Sequence, residues 1–204
     1  MAFSEINQKG GINGKTLSII YEDDKLDPKE GLNAFQKLSQ VNKVPIILGP
    51  ISSGVVLTAA PEANKSKTVI LSPYASNSKI TDAGDYIFRI YPSDAVQGVE
   101  GAKLATRLSY KKGAILCINS DYGIGLKNIF QKEYENAGGK ILISEGHDTG
   151  TTDFRGLLTK IKSASPEFIY MPGNAVEMKR ILLQARELRI KAQFISTDAF
   201  LDET

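Results

Sequence analysis

The chain has very little of the chemistry that binds metals or cross-links proteins. Its 204 residues include one cysteine, Cys117, and one histidine, His147. A single cysteine excludes an internal disulfide bond, and one cysteine with one histidine is too small a set for a Cys/His metal site. We therefore expect no metal and no cofactor. Because exported proteins without disulfides exist, cysteine usage leaves the cellular compartment open.

The chain also lacks an excess of charge of one sign and any long hydrophobic run. Its 25 basic residues nearly balance its 23 acidic residues, and the two kinds are mixed along the chain. Nucleic-acid-binding surfaces need clustered basic residues, so the charge pattern argues against a nucleic-acid partner. No apolar run approaches the ~18–20 residues of a membrane span. We therefore predict neither a nucleic-acid nor a membrane partner.

The amino-terminal stretch MAFSEINQKGGINGK has no basic start followed by an apolar core, so it does not resemble a secretory signal. It is typical of the last turns of a helix, Ala2 to Gln8, that Gly10 and Gly11 stop. The other end, FISTDAFLDET, follows a strand-like run directly. Both ends therefore have the character of a chain cut within its elements.

Short apolar runs alternate with amphipathic segments along the chain. Amphipathic spacing, as at Phe154, Leu157, Leu158 and Ile161, predicts helices between the runs. Most apolar runs are continuous, which is typical of strands buried on both faces. The alternation predicts an α/β fold with parallel sheets flanked by helices. The predicted strands are Thr16–Tyr21, Val44–Leu48, Thr68–Ser72, Tyr86–Tyr91, Gly113–Asn119, Lys140–Glu145, Glu167–Met171 and Ala192–Ser196.

One interruption divides this pattern. Between Asp82 and Gln97 a strand runs into Pro92 and then into a helix that we expect Asp94 to cap. We place the domain boundary there, with one domain at residues 1–92 and another at residues 93–204.

Two prolines also predict local helix structure. Asp27 followed by Pro28 predicts an N-cap and first turn of a helix ending near Gln40. Pro61 lies inside a helical pattern and predicts a kink or a short first segment there.

Polar residues follow the predicted strands, at the sheet edge where open parallel α/β folds bind ligands. Serine hydroxyls at a helix N-terminus suit a carboxylate, because the exposed N–H groups and the dipole favour negative charge. An acidic residue suits an ammonium group, and an aromatic ring packs over an aliphatic group or the ammonium. Together they predict a zwitterionic amino acid held between two halves. The candidates are Ser52, Ser53 and Ser76 in the first half, and Tyr122, Asn174 and Asp198 in the second.

Each candidate also has a purely structural interpretation. Ser52 and Ser53 suit a helix cap, and Ser76 suits an ordinary turn. Tyr122 suits a surface aromatic on a glycine-rich turn, and Asp198 suits a helix cap. Taken singly, none of them decides between a structural role and a ligand contact.

A series of stretches, in order along nearly the whole chain, carries a family resemblance. They are GGINGKTLSIIYEDDKLDP, ILGPISSGVVLTAAPEA, VILSPYASNSKIT, FRIYPSDAVQG, NSDYGIGL, GTTDFRGLLTKIKSASPEFIYMPG and ILLQARELRIKAQFISTDAF. The chain resembles the substrate-binding proteins of branched-chain-amino-acid-type ABC transporters, members of the extracellular ligand-binding receptor family. Their fold is the type I periplasmic binding protein fold.

The resemblance implies two lobes joined by a hinge, with a ligand closed between them. In the family, the first strand lies at the centre of the first lobe's sheet, and later crossovers return the chain to that lobe. Both are absent here, so the resemblance implies an incomplete first lobe. It implies a non-enzymatic role: capture of a small ligand, an amino acid first, and delivery to an ABC permease. The implied location is the periplasm or, for a lipoprotein, the cell surface. The strand edge left open predicts pairing with a second copy.

The resemblance also assigns site residues. Ser53, the backbone of Ala75 and Ser76 match the family's carboxylate contacts. Tyr122 matches the cleft tyrosine, and Asp198 matches the acidic partner of the ammonium group.

One position departs from the family pattern. Asn174 stands where amino-acid binders often carry an aromatic residue, so aliphatic amino acids, amides, urea-like compounds and aromatic acids all stay open as ligands. The same fold also serves sensory and regulatory domains, which the sequence does not separate from a transporter component.

Two enzymatic interpretations and a cation site have weaker support. YGIGLKN follows a strand, and Glu145 lies about 20 residues further on, as in a dinucleotide site, but Asn128 replaces the third glycine. His147 lies in a polar stretch predicted as a solvated loop, and no Gly-x-Ser-x-Gly motif accompanies it. The acidic run EDDKLD fits no calcium loop.

Overall fold

Helices and strands alternate through residues 2–200, the part of the chain described by this computed structural model. Met1 and residues 201–204, the outer ends of the two predicted domains, lie outside the described residues. The helices are α1 (Ala2–Gln8), α2 (Pro28–Gln36), α3 (Ser53–Ser66), α4 (Asp94–Arg107), α5 (Asp121–Asn136), α6 (Arg155–Ala164) and α7 (Ala175–Glu187). The strands are β1 (Ile46–Leu48), β2 (Val69–Ser72), β3 (Ile87–Arg89), β4 (Lys112–Ile118), β5 (Lys140–His147), β6 (Phe168–Tyr170) and β7 (Gln193–Ile195).

The strands form two parallel sheets. Sheet one has the order β1-β2-β3, and sheet two has the order β5-β4-β6-β7. Helices flank both sheets, so the predicted α/β architecture is confirmed. Every strand of sheet one precedes residue 92 and every strand of sheet two follows it, while the domain boundary itself stays a prediction.

Sheet two is covered by apolar side chains on both faces. Along β4, Ala114 and Leu116 pack with side chains of α6 and α7, whereas Ile115 and Cys117 pack with side chains of α4 and α5. This alternation follows from the two-residue period of a strand. It explains why the β4 sequence is a continuous apolar run rather than an alternating one.

Sheet one is covered on one face. Ile47, Ile70 and Ile87 stand in register and pack with side chains of α2 and α3, such as Phe35 and Val56. The opposite face carries exposed apolar side chains, which we call the open face: Ile46, Leu48, Phe88 and Ile90, between 47% and 74% exposed.

The segment Thr16–Tyr21, predicted as a strand, is not one, and this prediction is wrong. A strand needs a neighbour for its backbone groups, and here the side chain of Asn7 takes that place. Its amide donates to the Leu17 carbonyl at 2.9 Å and accepts from the Leu17 amide at 2.8 Å. The apolar side chains of the segment stay partly in water, with Tyr21 82% exposed.

The helix termini follow local capping chemistry. Asp27 caps α2 as predicted, since its carboxylate accepts from the Lys29 and Glu30 amides. After α2 a π-helical turn, Lys37–Val41, completes the segment expected to end near Gln40. Helix α3 is continuous from Ser53 to Ser66 through Pro61, so the predicted short first segment does not form.

The cap predicted at Asp94 is wrong. Ser93 occupies the N-cap position of α4, and its hydroxyl accepts from the Ala95 amide at 3.3 Å. Asp94 is the first helical residue and is buried. The N-cap therefore lies one residue earlier than the sequence suggested.

Candidate functional site

The two sheets meet where their parallel strands end. Asn77, after β2, donates from its side-chain amide to the backbone carbonyl of Asp121, at the start of α5, over 2.5 Å. A Cβ on Gly125 would lie 2.6 Å from Asn77 Nδ2, and a Cβ on Gly54 would lie 3.1 Å from Asp121 Oδ2. Glycine at these two positions lets the backbones approach closely.

Ser53 ties the N-terminus of α3 to the turn after β2. Its buried hydroxyl oxygen accepts from the amides of Ser76 at 3.3 Å and Asn77 at 3.2 Å. Ser52 holds the N-cap position, and its carbonyl accepts from the Val56 amide. Across residues 2–200 the Ser52 side chain makes no capping hydrogen bond, so Ser52 caps α3 by its position and its backbone carbonyl alone.

Ser72 and Arg89 fix the same turn, and the sequence interpretation missed both. The buried Ser72 hydroxyl donates to the Pro50 carbonyl at 2.6 Å and accepts from the Ala75 amide at 3.0 Å. Arg89 donates to the carbonyls of Ser76 and Asn77 at 3.1 and 2.7 Å. Their signals were available, because Ser72 ends a buried strand and Arg89 is the charged residue within the run Tyr86–Tyr91.

These contacts change the role open to Ala75. Its amide is already used by Ser72, so a ligand contact through its backbone would use the carbonyl. A carbonyl accepts hydrogen bonds, and it therefore suits an ammonium group rather than the carboxylate predicted for this position.

Asp94 adds a buried acid to the site. Its backbone amide donates to the Ser76 carbonyl at 2.8 Å, and its carboxylate hydrogen-bonds the Ser76 side chain. Burial is the main cause that raises the pKa of Asp94 to about 6; the nearby charge of Asp198 also raises it, whereas the Ser76 hydrogen bond and Arg89 lower it. Within the described chain, Asp94 Oδ2 is buried without a hydrogen-bond partner.

Tyr122 and Asp198 line the second side of the site. The Tyr122 hydroxyl donates to Thr197 Oγ1 at 3.0 Å, and Asp198 Oδ2 accepts from the Tyr91 hydroxyl. Burial raises the pKa of Tyr122, and the charges of Asp198 and Asp94 raise it further. These acids therefore lie within electrostatic reach of the tyrosine.

The structure thus brings together five residues that we call the junction site: Ser53, Ser76, Asp94, Tyr122 and Asp198. Contacts link their two sides, since Asn77 binds Asp121 and Tyr91 binds Asp198. Asn174 is exposed at the N-cap of α7. In the described residues no hydrogen bond joins its side chain to the junction site, and its ligand role stays a prediction.

His147 is not in a solvated loop, so that prediction is wrong. It is the last residue of β5 and is 4% exposed, with its ring edge-on to Phe154 at 5.0 Å. Its Nδ1 lies 3.2 Å from the carbonyl of Asp148. In the part of the chain described here, no serine contacts the imidazole, so a Ser/His hydrolase gains no support.

The Gly-x-Gly of α5 has a packing role. A Cβ on Gly123 would lie 2.3 Å from the Ile118 carbonyl oxygen, and Gly125 faces Asn77. Glu145, the acid required of a dinucleotide site, lies 3.5 Å from the ammonium of Lys160. These contacts account for the motif without a dinucleotide.

The acidic run EDDKLD also serves local structure. Asp23 and Asp24 accept from the amides of Lys25 and Leu26, both at 2.9 Å. Among residues 2–200, no group of three or more His, Cys, Asp or Glu residues is arranged to hold a metal ion. None of the helices in that range is long and apolar enough to cross a membrane.

Open parallel α/β folds bind ligands beyond the carboxyl ends of their strands, and polar residues of both sheets converge at that place here. The chain matches the family model described as "Periplasmic binding protein" over residues 1–203, and it belongs to that family.

Relatives of this family share about half their length with the chain. It is 32% identical over 200 residues to the leucine-, isoleucine-, valine-, threonine- and alanine-binding protein of Pseudomonas aeruginosa, covering 97% of this chain and 53% of that protein. The branched-chain amino acid transporter substrate binding protein LivJ of Streptococcus pneumoniae, solved with isoleucine, has a TM-score of 0.82 and 31% identity, covering 96% of this chain and 56% of its own. The leucine binding protein LivK of Thermotoga maritima has a TM-score of 0.88 and 26% identity, with the same two coverages.

Proposed function

We propose that the chain is a solute-binding protein that captures an amino acid at the junction site and delivers it, unchanged, to an ABC permease. One observation supports this proposal. At the place where the two sheets meet, a side rich in hydrogen-bond donors faces a side that carries acidic residues. The amino-acid-binding relatives are consistent with it, since the P. aeruginosa protein is named for five aliphatic and hydroxyl amino acids.

The donor side is formed by the start of α3. The amides of Ser53, Gly54 and Val55 precede Val56, whose amide is the first bonded within the helix. The Ser53 oxygen already accepts two backbone hydrogens, so its own hydrogen is available to donate. Amides without a partner inside the helix, a hydroxyl donor and the helix dipole together favour a carboxylate.

The acidic side is formed by Asp198 and Asp94, with Tyr122 beside them. A carboxylate in partly buried surroundings binds an ammonium group more strongly than it would in water, because the effective dielectric constant is lower. A zwitterion satisfies both sides at once, whereas a simple carboxylic acid brings no ammonium group to the acidic side.

The experiment is isothermal titration calorimetry and thermal melting of the chain with L-leucine, L-isoleucine, L-valine, L-alanine and L-threonine. A ligand at 100 times its dissociation constant adds about 2.7 kcal/mol of apparent stability if it binds the folded state alone. We expect Ser53→Ala to weaken binding, and Ser66→Ala, at the far end of α3, to leave it unchanged. Equal affinity in wild type and Ser53→Ala would show that Ser53 does not contact the ligand.

We also propose that a second copy of the chain covers the open face of sheet one. Strand β1 pairs with β2 alone in the described residues, so an unpaired edge lies beside four exposed apolar side chains. Sedimentation velocity of wild type and a Phe88→Ser, Ile90→Ser variant tests this proposal. Two monomeric samples at every concentration would exclude the dimer.

An extracytoplasmic location, in the periplasm or on the cell surface, is the corresponding proposal for where the protein acts. It rests on the family to which the chain belongs. Fractionation of the native host with an antibody against the chain tests it, and recovery in the cytoplasmic fraction would contradict it.

A further inference from the structure

Tyr91 and Asp198 form a hydrogen bond that joins the two halves of the chain. Tyr91 follows β3 of sheet one and Asp198 follows β7 of sheet two, 107 residues later. The Tyr91 hydroxyl donates to Oδ2 of the Asp198 carboxylate. The carboxylate predicted to receive a ligand's ammonium group is therefore already bound by a side chain from the other half.

Asp198 still has free acceptor positions for a ligand in this arrangement. Its Oδ1 accepts from the Ala199 amide at 2.9 Å, and its Oδ2 accepts from Tyr91. Each carboxylate oxygen has two acceptor positions, so one position on each oxygen is still open. The two existing bonds fix the plane of the carboxylate and leave its remaining lone pairs for a further donor.

Tyr91 itself is held in place. Its ring packs against that of Tyr74, with ring centroids 4.7 Å apart and planes tilted by 48°. The hydrogen bond to Asp198, followed by burial, raises the pKa of Tyr91. The hydroxyl therefore stays a protonated donor at neutral pH.

We propose that Tyr91 is a positioning residue, whose hydroxyl orients the Asp198 carboxylate toward the ammonium group of an amino-acid ligand. This inference rests on the proposed function and names one of its specificity determinants. A group that is already oriented loses less conformational entropy on binding than one that must be ordered by the ligand. Only ligands with an ammonium group should gain affinity from this orientation, because it acts through Asp198.

The test compares two probes that differ only in the ammonium group: L-leucine and 4-methylpentanoate. Calorimetry measures their dissociation constants for wild type, Tyr91→Phe, Asp198→Asn and the double variant. We expect Tyr91→Phe to raise the dissociation constant for L-leucine about five- to tenfold, which is the effect of losing one charge-assisted hydrogen bond. Affinity for 4-methylpentanoate should not change. In the Asp198→Asn background, Tyr91→Phe should have no further effect on L-leucine.

Tyr134→Phe is the matched control. It also removes one hydrogen-bonding tyrosine hydroxyl, which donates to the Tyr110 carbonyl at 3.0 Å beside the core of sheet two. If Tyr91→Phe weakens both probes equally, or acts fully in the Asp198→Asn background, the positioning role is wrong. The same holds if Tyr134→Phe shows the same selectivity.

The two probes also distinguish failure of this inference from failure of the proposed function. If wild type binds 4-methylpentanoate and not L-leucine, this inference is overturned while solute binding stands. If wild type binds neither probe nor any amino acid of the calorimetry panel, amino-acid capture itself is wrong, and the inference falls with it.

Discussion

The side-chain amide of Asn77 reaches across the junction of the two sheets and donates to the backbone carbonyl of Asp121 at 2.5 Å. The same side chain accepts from the Lys79 amide at 2.9 Å, capping the 3-10 turn Ser78–Asp82. One buried residue therefore satisfies a backbone group in each half of the chain.

Replacement of Asn77 by alanine removes both hydrogen bonds and leaves the Asp121 carbonyl without this donor. We expect the free energy of unfolding to fall by about 1–3 kcal/mol, the usual range for a lost cap with an unsatisfied group. Urea unfolding at pH 7 measures the change. Asn42→Ala, at an exposed asparagine, should stay within about 0.5 kcal/mol of wild type. Equal losses in the two variants would contradict the bridging role.

Alanine substitution at two glycines should change the stability of the chain in opposite directions. A Cβ on Gly113 would lie 2.2 Å from the ring of Phe168, whereas a Cβ on Gly156 in α6 meets open space. Gly113→Ala should therefore destabilise the chain by about 1–3 kcal/mol through overpacking. Gly156→Ala should stabilise it by about 0.4–1 kcal/mol, because alanine restricts the unfolded chain and favours the helix. Thermal melts of the two variants, run beside wild type, decide the prediction, and the same sign of shift in both would refute it.

Asp94 should make stability depend on pH. Its pKa is about 6 in the folded chain against an ordinary value of 3.8, so between these values the folded state binds more protons than the unfolded state. Stability therefore falls as pH rises through this range. Each pKa unit corresponds to about 1.4 kcal/mol, and we expect a loss of about 1–3 kcal/mol over this range.

The measurement for Asp94 is urea unfolding of wild type and Asp94→Asn at several pH values from 4 to 7. Their difference in unfolding free energy should shift in favour of the asparagine variant as pH rises. Asp198 and Arg89, which also face Asp94, are unchanged in both proteins. A constant difference across the range would show that Asp94 does not titrate there.

Cys117 should be inert while the chain is folded. It is 3% exposed on β4, and burial raises the pKa of its thiol. Because the thiolate is the reactive form, native protein should label with a disulfide reagent far more slowly than glutathione does. Concentrated guanidinium chloride should make labelling complete. Native labelling at the glutathione rate would contradict the burial of β4.

The strands of sheet two could be predicted because each contains a local apolar run, and the runs of β4 and β6 are buried almost throughout. Thr16–Tyr21 has the same local pattern, but whether a run pairs depends on which other strands lie beside it. That neighbour is not encoded in the run itself. The N-cap was likewise placed one residue too late, at Asp94 instead of Ser93, because propensities do not resolve a helix start to a single residue.

The candidate site was predictable in its position and less so in its contacts. The rule that ligands bind beyond strand carboxyl ends selected Ser53, Ser76, Tyr122 and Asp198, and the structure brings these four residues together at one junction. The bonds that bind Tyr91 to Asp198 and Ser72 to Pro50 join residues far apart in the chain. Such pairings become visible only when the turns are placed in three dimensions.

The unequal covering of the two sheets has a consequence for how the chain opens. Sheet two has packed layers on both faces, so amide hydrogens of β4 should exchange with solvent only when the whole unit unfolds. Sheet one has a single packed layer and short strands at both edges, so amides of β1 and β3 should exchange through smaller local openings. The residues proposed to bind the carboxylate of a ligand would then belong to the more easily opened part, and ligand binding should slow exchange most strongly there.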